Sequence, residues 1–192
     1  MLIYSKNLVN LCNFVNINLG GTIMLSDKLM NAINDQINYE LYSANVYLAM
    51  QSYFAANDLD GFANFFKVQI QEETFHANKF FDYLSQMGGR VIIGAMPAPQ
   101  SDFESVLHVF KEALAHERTV TQRVYNLMDI ATEEREHATI SLLKWFIDEQ
   151  VEEETNFGGV VKRLERMGED SAALYMLDAE LASRVFTPPT NA

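Results

Sequence analysis

The chain has 192 residues, 48% of them hydrophobic and 21% charged, enough to bury one sizeable core but few for two. Nine Gly, four Pro and no internal repeat exclude solenoid, collagen-like and disordered classes. The formal net charge of -12, with no Lys/Arg cluster to displace counterions, excludes a nucleic-acid partner and favours cations as ligands.

Residues 1–23 carry five asparagines through their apolar run and one basic residue, Lys6, so they do not make a secretory signal. They are expected to be an N-terminal extension, either disordered or a start-site artefact, because Met24 opens MLSDKLM, a plausible helix start. Cys12 is the only cysteine and can form no internal disulfide, which fits a reducing cytoplasm. No membrane partner is expected.

From the N-cap candidate Ser26, apolar residues recur at Leu29, Ile33, Ile37, Ala44, Tyr47 and Phe54, which predicts a first helix ending near Asn57. The short link NDLDG turns the second helix back antiparallel, with a stripe at Phe62, Phe66, Gln69, Glu73, His76, Phe80, Tyr83 and Met87, stopping at Gly88-Gly89. RVIIGAMPAPQS has no helical period, and a third helix is expected from near Ser101 with acids in its first turn. Its stripe is Phe103, Leu107, Phe110, Leu114, Glu117, Thr121, Val124 and Met128. After the polar TEERE turn, a fourth helix carries Leu143, Phe146, Gln150, Glu153, Phe157, Val160 and Leu164 to a stop at Gly168. A short fifth helix covers about Ser171 to Ala182.

A helix of about 28 residues is roughly 42 Å long, and about 13 extended residues reach as far. The link between the second and third helices therefore spans the bundle and makes those two helices parallel. The fold class is all-α: a four-helix bundle with one long crossover and a short fifth C-terminal helix.

Each stripe is apolar except near its middle, where Glu40, Glu73 with His76, Glu117, and Gln150 with Glu153 take core positions. Counted from the helix starts they lie about 14, 12, 15 and 18 residues in, all at central depth. Burying four unpaired carboxylates costs several kcal/mol each, and no Lys or Arg lies on these stripes at that depth. A metal compensates most economically. Carboxylates with one imidazole suit iron or manganese, and Glu73-x-x-His76 puts two ligands on one helical face. A set joining four helices matches the di-iron carboxylate pattern. Glu133, Glu134 and His137 have ligand spacing too, but lie about 25 Å from Glu153 along the helix and read as solvated. His108 and His116 fall off the apolar stripe and read as surface histidines.

The segments NYELYSANVYLAM, QEETFHANKFFDYL, HERTVTQ and WFIDEQVEEET resemble the corresponding parts of bacterial non-haem ferritins, over about Met24 to Arg184. The resemblance implies a ferritin-like di-iron domain over 24–184 and iron storage with ferroxidase activity, Fe(II) being oxidised to Fe(III) and kept as ferric mineral inside a homo-oligomeric shell of 24 subunits. It also implies that Glu40, Glu73 and His76 hold one iron. Glu73 would bridge to a second iron held by Glu117 and Glu153, with Gln150 nearby. A third iron position would take Glu72, Glu149 and Glu152, although EQVEEE also suits a solvated acidic face. Tyr47 matches a family tyrosine that supplies an electron when oxygen is reduced, and Trp145 a neighbouring tryptophan; core packing accounts for either equally well.

Two features narrow the resemblance. Asn156 stands three residues after Glu153, so the fourth helix lacks the second ExxH of rubrerythrins and bacterioferritins. Thr74 follows Glu73 where bacterioferritins carry the haem-ligating methionine, so no haem is expected. The competing readings are a non-catalytic shell subunit, which would have lost these carboxylates, and a rubrerythrin-type di-iron oxidase, which would show the second ExxH. Residues 185–192 form a tail to which the sequence assigns no role.

Overall fold

The computed structural model describes residues 25–168 and 170–188; the expectations for residues 1–23 and for Cys12 lie outside them. Five helices follow in order: α1 Asp27–Ala55, α2 Asp60–Gln86, α3 Val106–Glu133, α4 His137–Met167 and α5 Ser171–Leu181. Among the described residues there is no strand, and no helix is long and apolar enough to cross a membrane.

α1 packs along α2 and α3 along α4, and α1 meets α3. Ser26 caps α1 by accepting from Leu29 N at 3.0 Å, and its hydroxyl donates to Glu134 at the far end of α3, which sets α1 antiparallel to α3. At the opposite end, the Phe110 ring from early α3 lies 6.0 Å from Phe54 at the end of α1 and 5.7 Å from Phe62 at the start of α2. α2 and α3 are thus parallel, as the crossover length requires.

The crossover is held along α1 by side chains that imitate a strand. Asn34 and Asn38, one turn apart, each offer an amide N–H and an oxygen to it. Asn34 donates to Arg90 O and accepts from Ile92 N; Asn38 donates to Ile92 O and accepts from Gly94 N.

The third helix begins at Val106, not near Ser101, so Asp102 and Glu104 precede its first turn. Ser105 is the cap, accepting from His108 N at 3.1 Å. From the stretch before it, Phe103 meets the Tyr53 ring at 5.3 Å.

α5 closes one end. The first turn of α2 lacks a cap of its own, and Asp178 of α5 supplies one by accepting from Phe62 N at 2.9 Å. That approach requires Gly61, where an added Cβ would sit 1.7 Å from the Asp178 carbonyl oxygen.

The core has two apolar halves. Phe54, Phe62, Phe65, Phe66, Phe110 and Phe157 fill the half near α5, and Leu29, Ile33, Ile37, Phe80, Leu84, Leu143 and Phe146 fill the other. Between them lies a layer that is buried but polar.

Candidate metal centre

Glu40, Gln69, Glu73, His76, Glu117, Gln150 and Glu153 are all buried, none more than 4% exposed. The helical spacing that buries their apolar neighbours carries these side chains inward as well. Glu40, Glu73 and His76 offer ligand atoms that all lie within 4.8 Å of one another. His76 Nδ1 is 3.8 Å from Glu73 Oε2. Glu40 Oε2 and Glu73 Oε2, and the amide oxygen of Gln69, are buried without any hydrogen-bond partner.

The other half of the predicted set shares the layer but is turned onto protein donors. Tyr47 donates its hydroxyl to Glu117 Oε1, and Gln150 Nε2 donates to Glu117 Oε2 at 3.0 Å. Gln69 Nε2 donates to Glu153 Oε2 at 3.0 Å. Glu117 and Glu153 therefore stand outside the 4.8 Å grouping, each neutralised in part by an N–H or O–H.

Burial raises the pKa of Glu73 well above the carboxylate range, and the nearby Glu40 and Glu153 add to the rise. Glu117 is pushed well up for the same reason, with Glu73 adding. Burial takes Glu153 to about 8, helped by Glu117. The Tyr47 hydroxyl is likewise held well above its ordinary value, by burial and then by the charge of Glu117. Glu73, Glu117 and Glu153, from three helices around one imidazole, thus favour the protonated form, and a hard cation would displace those protons. The unpartnered oxygens of Glu40 and Glu73 fit such an ion, because each has a lone pair and nothing in the protein to give it.

Residues 30–167 match the ferritin-like domain family. The chain is 45% identical over 163 residues to the bacterial non-heme ferritin of Staphylococcus saprophyticus, covering 85% of this chain and 98% of that one. The chain belongs to the ferritin family. A Staphylococcus aureus bacterial non-heme ferritin is 46% identical over the same length and the same shares of the two chains. Among solved structures, a humanized archaeal ferritin superposes with a TM-score of 0.85 at 45% identity, over 85% of this chain and 99% of that one. The open-pore ferritin of the hyperthermophilic archaeon Archaeoglobus fulgidus gives 0.83 at 45% identity, over 84% and 98%.

Within this ferritin, the outer acids Glu72, Glu149 and Glu152 line a cavity of about 300 Å³ whose floor is His76 and whose walls include Trp145. Burial raises the pKa of Glu72, opposed by the guanidinium of Arg184, and burial raises that of Glu149, opposed by His76. Lys79 lies over the Trp145 ring at 4.4 Å, and the His76 ring packs against the same indole at 5.6 Å.

Glu133, Glu134 and His137 stay out of the centre: Glu133 pairs with Lys28 at 2.6 Å and Glu134 accepts from Ser26, so the first two tie down the start of α1. His116 corrects the sequence reading. It is largely covered, stacked on Tyr39 at 5.4 Å with its Nε2 2.8 Å from Ser43 Oγ, and burial lowers its pKa to about 4. Tyr39, Tyr42 and Ser43 of α1 cover it on the α3 face that the apolar stripe of α3 leaves out.

Three further residues support the centre without having been predicted as site residues. Gln36 Nε2 donates to Glu40 Oε1 at 2.8 Å, and Gln36 Oε1 accepts from Arg123 Nε at 3.1 Å. Gln69 holds Glu153. Gln36 lies three residues after Ile33 and four before Glu40, so helical spacing could have found it; Arg123 gives no such signal.

Proposed function

We propose that this ferritin oxidises Fe(II) to Fe(III) at the buried carboxylate layer and stores the product as ferric mineral inside a homo-oligomeric shell of 24 subunits in the cytoplasm. In this reading one Fe(II) is taken by Glu40, Glu73 and His76, and a second by Glu73, Glu117 and Glu153 with Gln150 beside it. Iron here is substrate and cargo. Each Fe(II) gives up one electron, and oxygen or peroxide takes the pair.

The observation that carries the proposal is the pair of orphaned oxygens, Glu40 Oε2 and Glu73 Oε2, buried beside His76. A folded protein rarely leaves two such atoms unsatisfied, at a cost of about 1–3 kcal/mol each, unless a ligand completes them. The chain's own part in the reaction is to bind, hold charge and move protons. The layer excludes water, so the ion meets carboxylates in a low-dielectric setting where their attraction is strongest. The carboxyl protons leave as the ions enter. Gln36, Gln69 and Gln150 hold the carboxylates in place, and the Tyr47 hydroxyl on Glu117 would supply one further electron and its proton where oxygen is reduced past the two electrons that the iron pair gives.

The domain is taken as 24–184 with a tail over 185–192. A third ion would sit on Glu72, Glu149 and Glu152, with Glu153 shared. The test is stoichiometric Fe(II) addition to the apo-protein in air, following Fe(III)-oxo absorbance and oxygen uptake, beside Glu73→Ala. Rapid oxidation that saturates near two irons per chain and is lost in the variant is expected. Oxidation no faster than in buffer would leave a non-catalytic storage shell as the better reading.

A further inference from the structure

The tail after α5 does not hang free. Asn64 Nδ2 donates to the carbonyls of Leu181 and Arg184, at 3.1 and 2.9 Å, and turns the chain back along α2. Arg184 then lies over the Phe65 ring at 4.4 Å, and its Nη2 donates to Glu72 Oε2 at 2.8 Å. Both side chains of that pair are largely covered, at 22% and 21% exposure. Two residues on, Phe186 packs against Phe75 at 6.0 Å and, with Thr187, walls the cavity above His76. The Phe186 ring, the Arg184–Glu72 ion pair and the hydrogen bonds from the Asn64 amide fix the tail over the acids.

We propose that Arg184 is the resting counter-cation of the Glu72, Glu149 and Glu152 cluster, so that an ion takes Glu72 only by displacing the guanidinium and the tail that carries it. The inference rests on reading those three acids as a third cation position. A guanidinium and a divalent ion compete for the same carboxylate oxygen, and Arg cannot shed its charge to make way. The paired layer has no cationic competitor: Glu40 and Glu73 each keep an open oxygen, and Glu117 and Glu153 are held only by neutral donors, whereas Glu72 is matched by a full charge. The chain therefore fills in order, the paired layer first and the outer acids afterwards, and occupation of the outer acids frees residues 184–188.

The experiment is anaerobic titration of the full-length apo-protein with Zn(II) by calorimetry, for the unaltered chain, Arg184→Gln, Arg184→Lys and Glu72→Gln, with hydrogen exchange followed across residues 183–188. The unaltered protein should show two tighter events per chain and a weaker third, and Glu72→Gln should lose the third. Arg184→Gln should tighten the third by up to about fivefold, the scale of one partly covered ion pair, while Arg184→Lys, which keeps the charge, stays near the unaltered value. Exchange across the tail should rise with the third equivalent.

A third event of equal affinity in the unaltered and Arg184→Gln proteins would overturn the role of Arg184 while leaving the outer site standing. Two events and no third in any variant would remove the outer site, and this inference with it, while leaving the paired layer intact.

Discussion

On one face of α2, Phe66, Gln69 and Glu73 follow each other a turn apart, and the bundle buries all three to within 1%. Equal burial has opposite consequences. Phe66 meets Phe54 at 5.5 Å, Phe110 at 5.2 Å and Phe157 at 6.1 Å, so its removal from water is repaid by contact. Glu73 loses its hydration, faces the carboxyls of Glu40, Glu153 and Glu72 and keeps an oxygen with no partner. The aromatic half of the core is where this ferritin gains stability; the carboxylate layer is where it gives some up, leaving buried acids that a cation would complete.

The sharpest way to separate the two regions is to empty one of them. Phe110→Ala, in the aromatic half, should lower stability by about 3–5 kcal/mol in denaturant unfolding while leaving the number of ions bound per folded chain unchanged. Loss of ion binding alongside stability would mean that the two regions are not separable.

The next effect comes from pH. Glu73, Glu117 and Glu153 have folded pKa values raised above the unfolded one, Glu153 to about 8, so the stability they contribute is full below about pH 4.5 and is lost as pH rises through the folded values. The apo-protein should therefore become less stable between about pH 5 and pH 8, by up to about 1.4 kcal/mol per pH unit for each proton released. A bound cation should reverse the trend, since its ligands must be deprotonated. Thermal midpoints against pH, with chelator and with Zn(II), check both signs; an apo-protein that gains stability toward pH 8 would contradict the burden assigned to this layer.

A smaller effect isolates one member of it. Glu73→Gln keeps the shape and removes the charge, and should stabilise the apo-protein at pH 8 by about 1–3 kcal/mol while abolishing its stabilisation by Zn(II). A destabilised apo-variant would instead mean that Glu73 is held in place for structure.

The acids of the layer were legible because each interrupts an apolar stripe at the same depth on its own helix, and periodicity exposes such interruptions. The crossover was legible from its length alone. What periodicity does not encode is contact made across the chain at irregular places. Arg184 reaches Glu72 from a tail with no repeat to follow, and Arg123 reaches Gln36 from a different helix. His116 was misread because it neighbours Glu117 on a face that α3 alone suggests is wet, whereas Tyr39, Tyr42 and Ser43 of α1 lie against it. Ser-Asp-x-Glu at 101–104 imitates a cap with an acidic first turn, but the hydroxyl that caps the helix is that of Ser105.

The central claim is that the carboxylate layer is an ion site shared by four helices. Anomalous diffraction at the iron edge, from crystals soaked anaerobically in Fe(II), tests it most directly. Two peaks per chain are expected inside the bundle, one against Glu40, Glu73 and His76 and one against Glu73, Glu117 and Glu153, with the latter two side chains released from Tyr47 and Gln69 to reach it. Iron confined to surface acids, with the layer empty, would contradict the account.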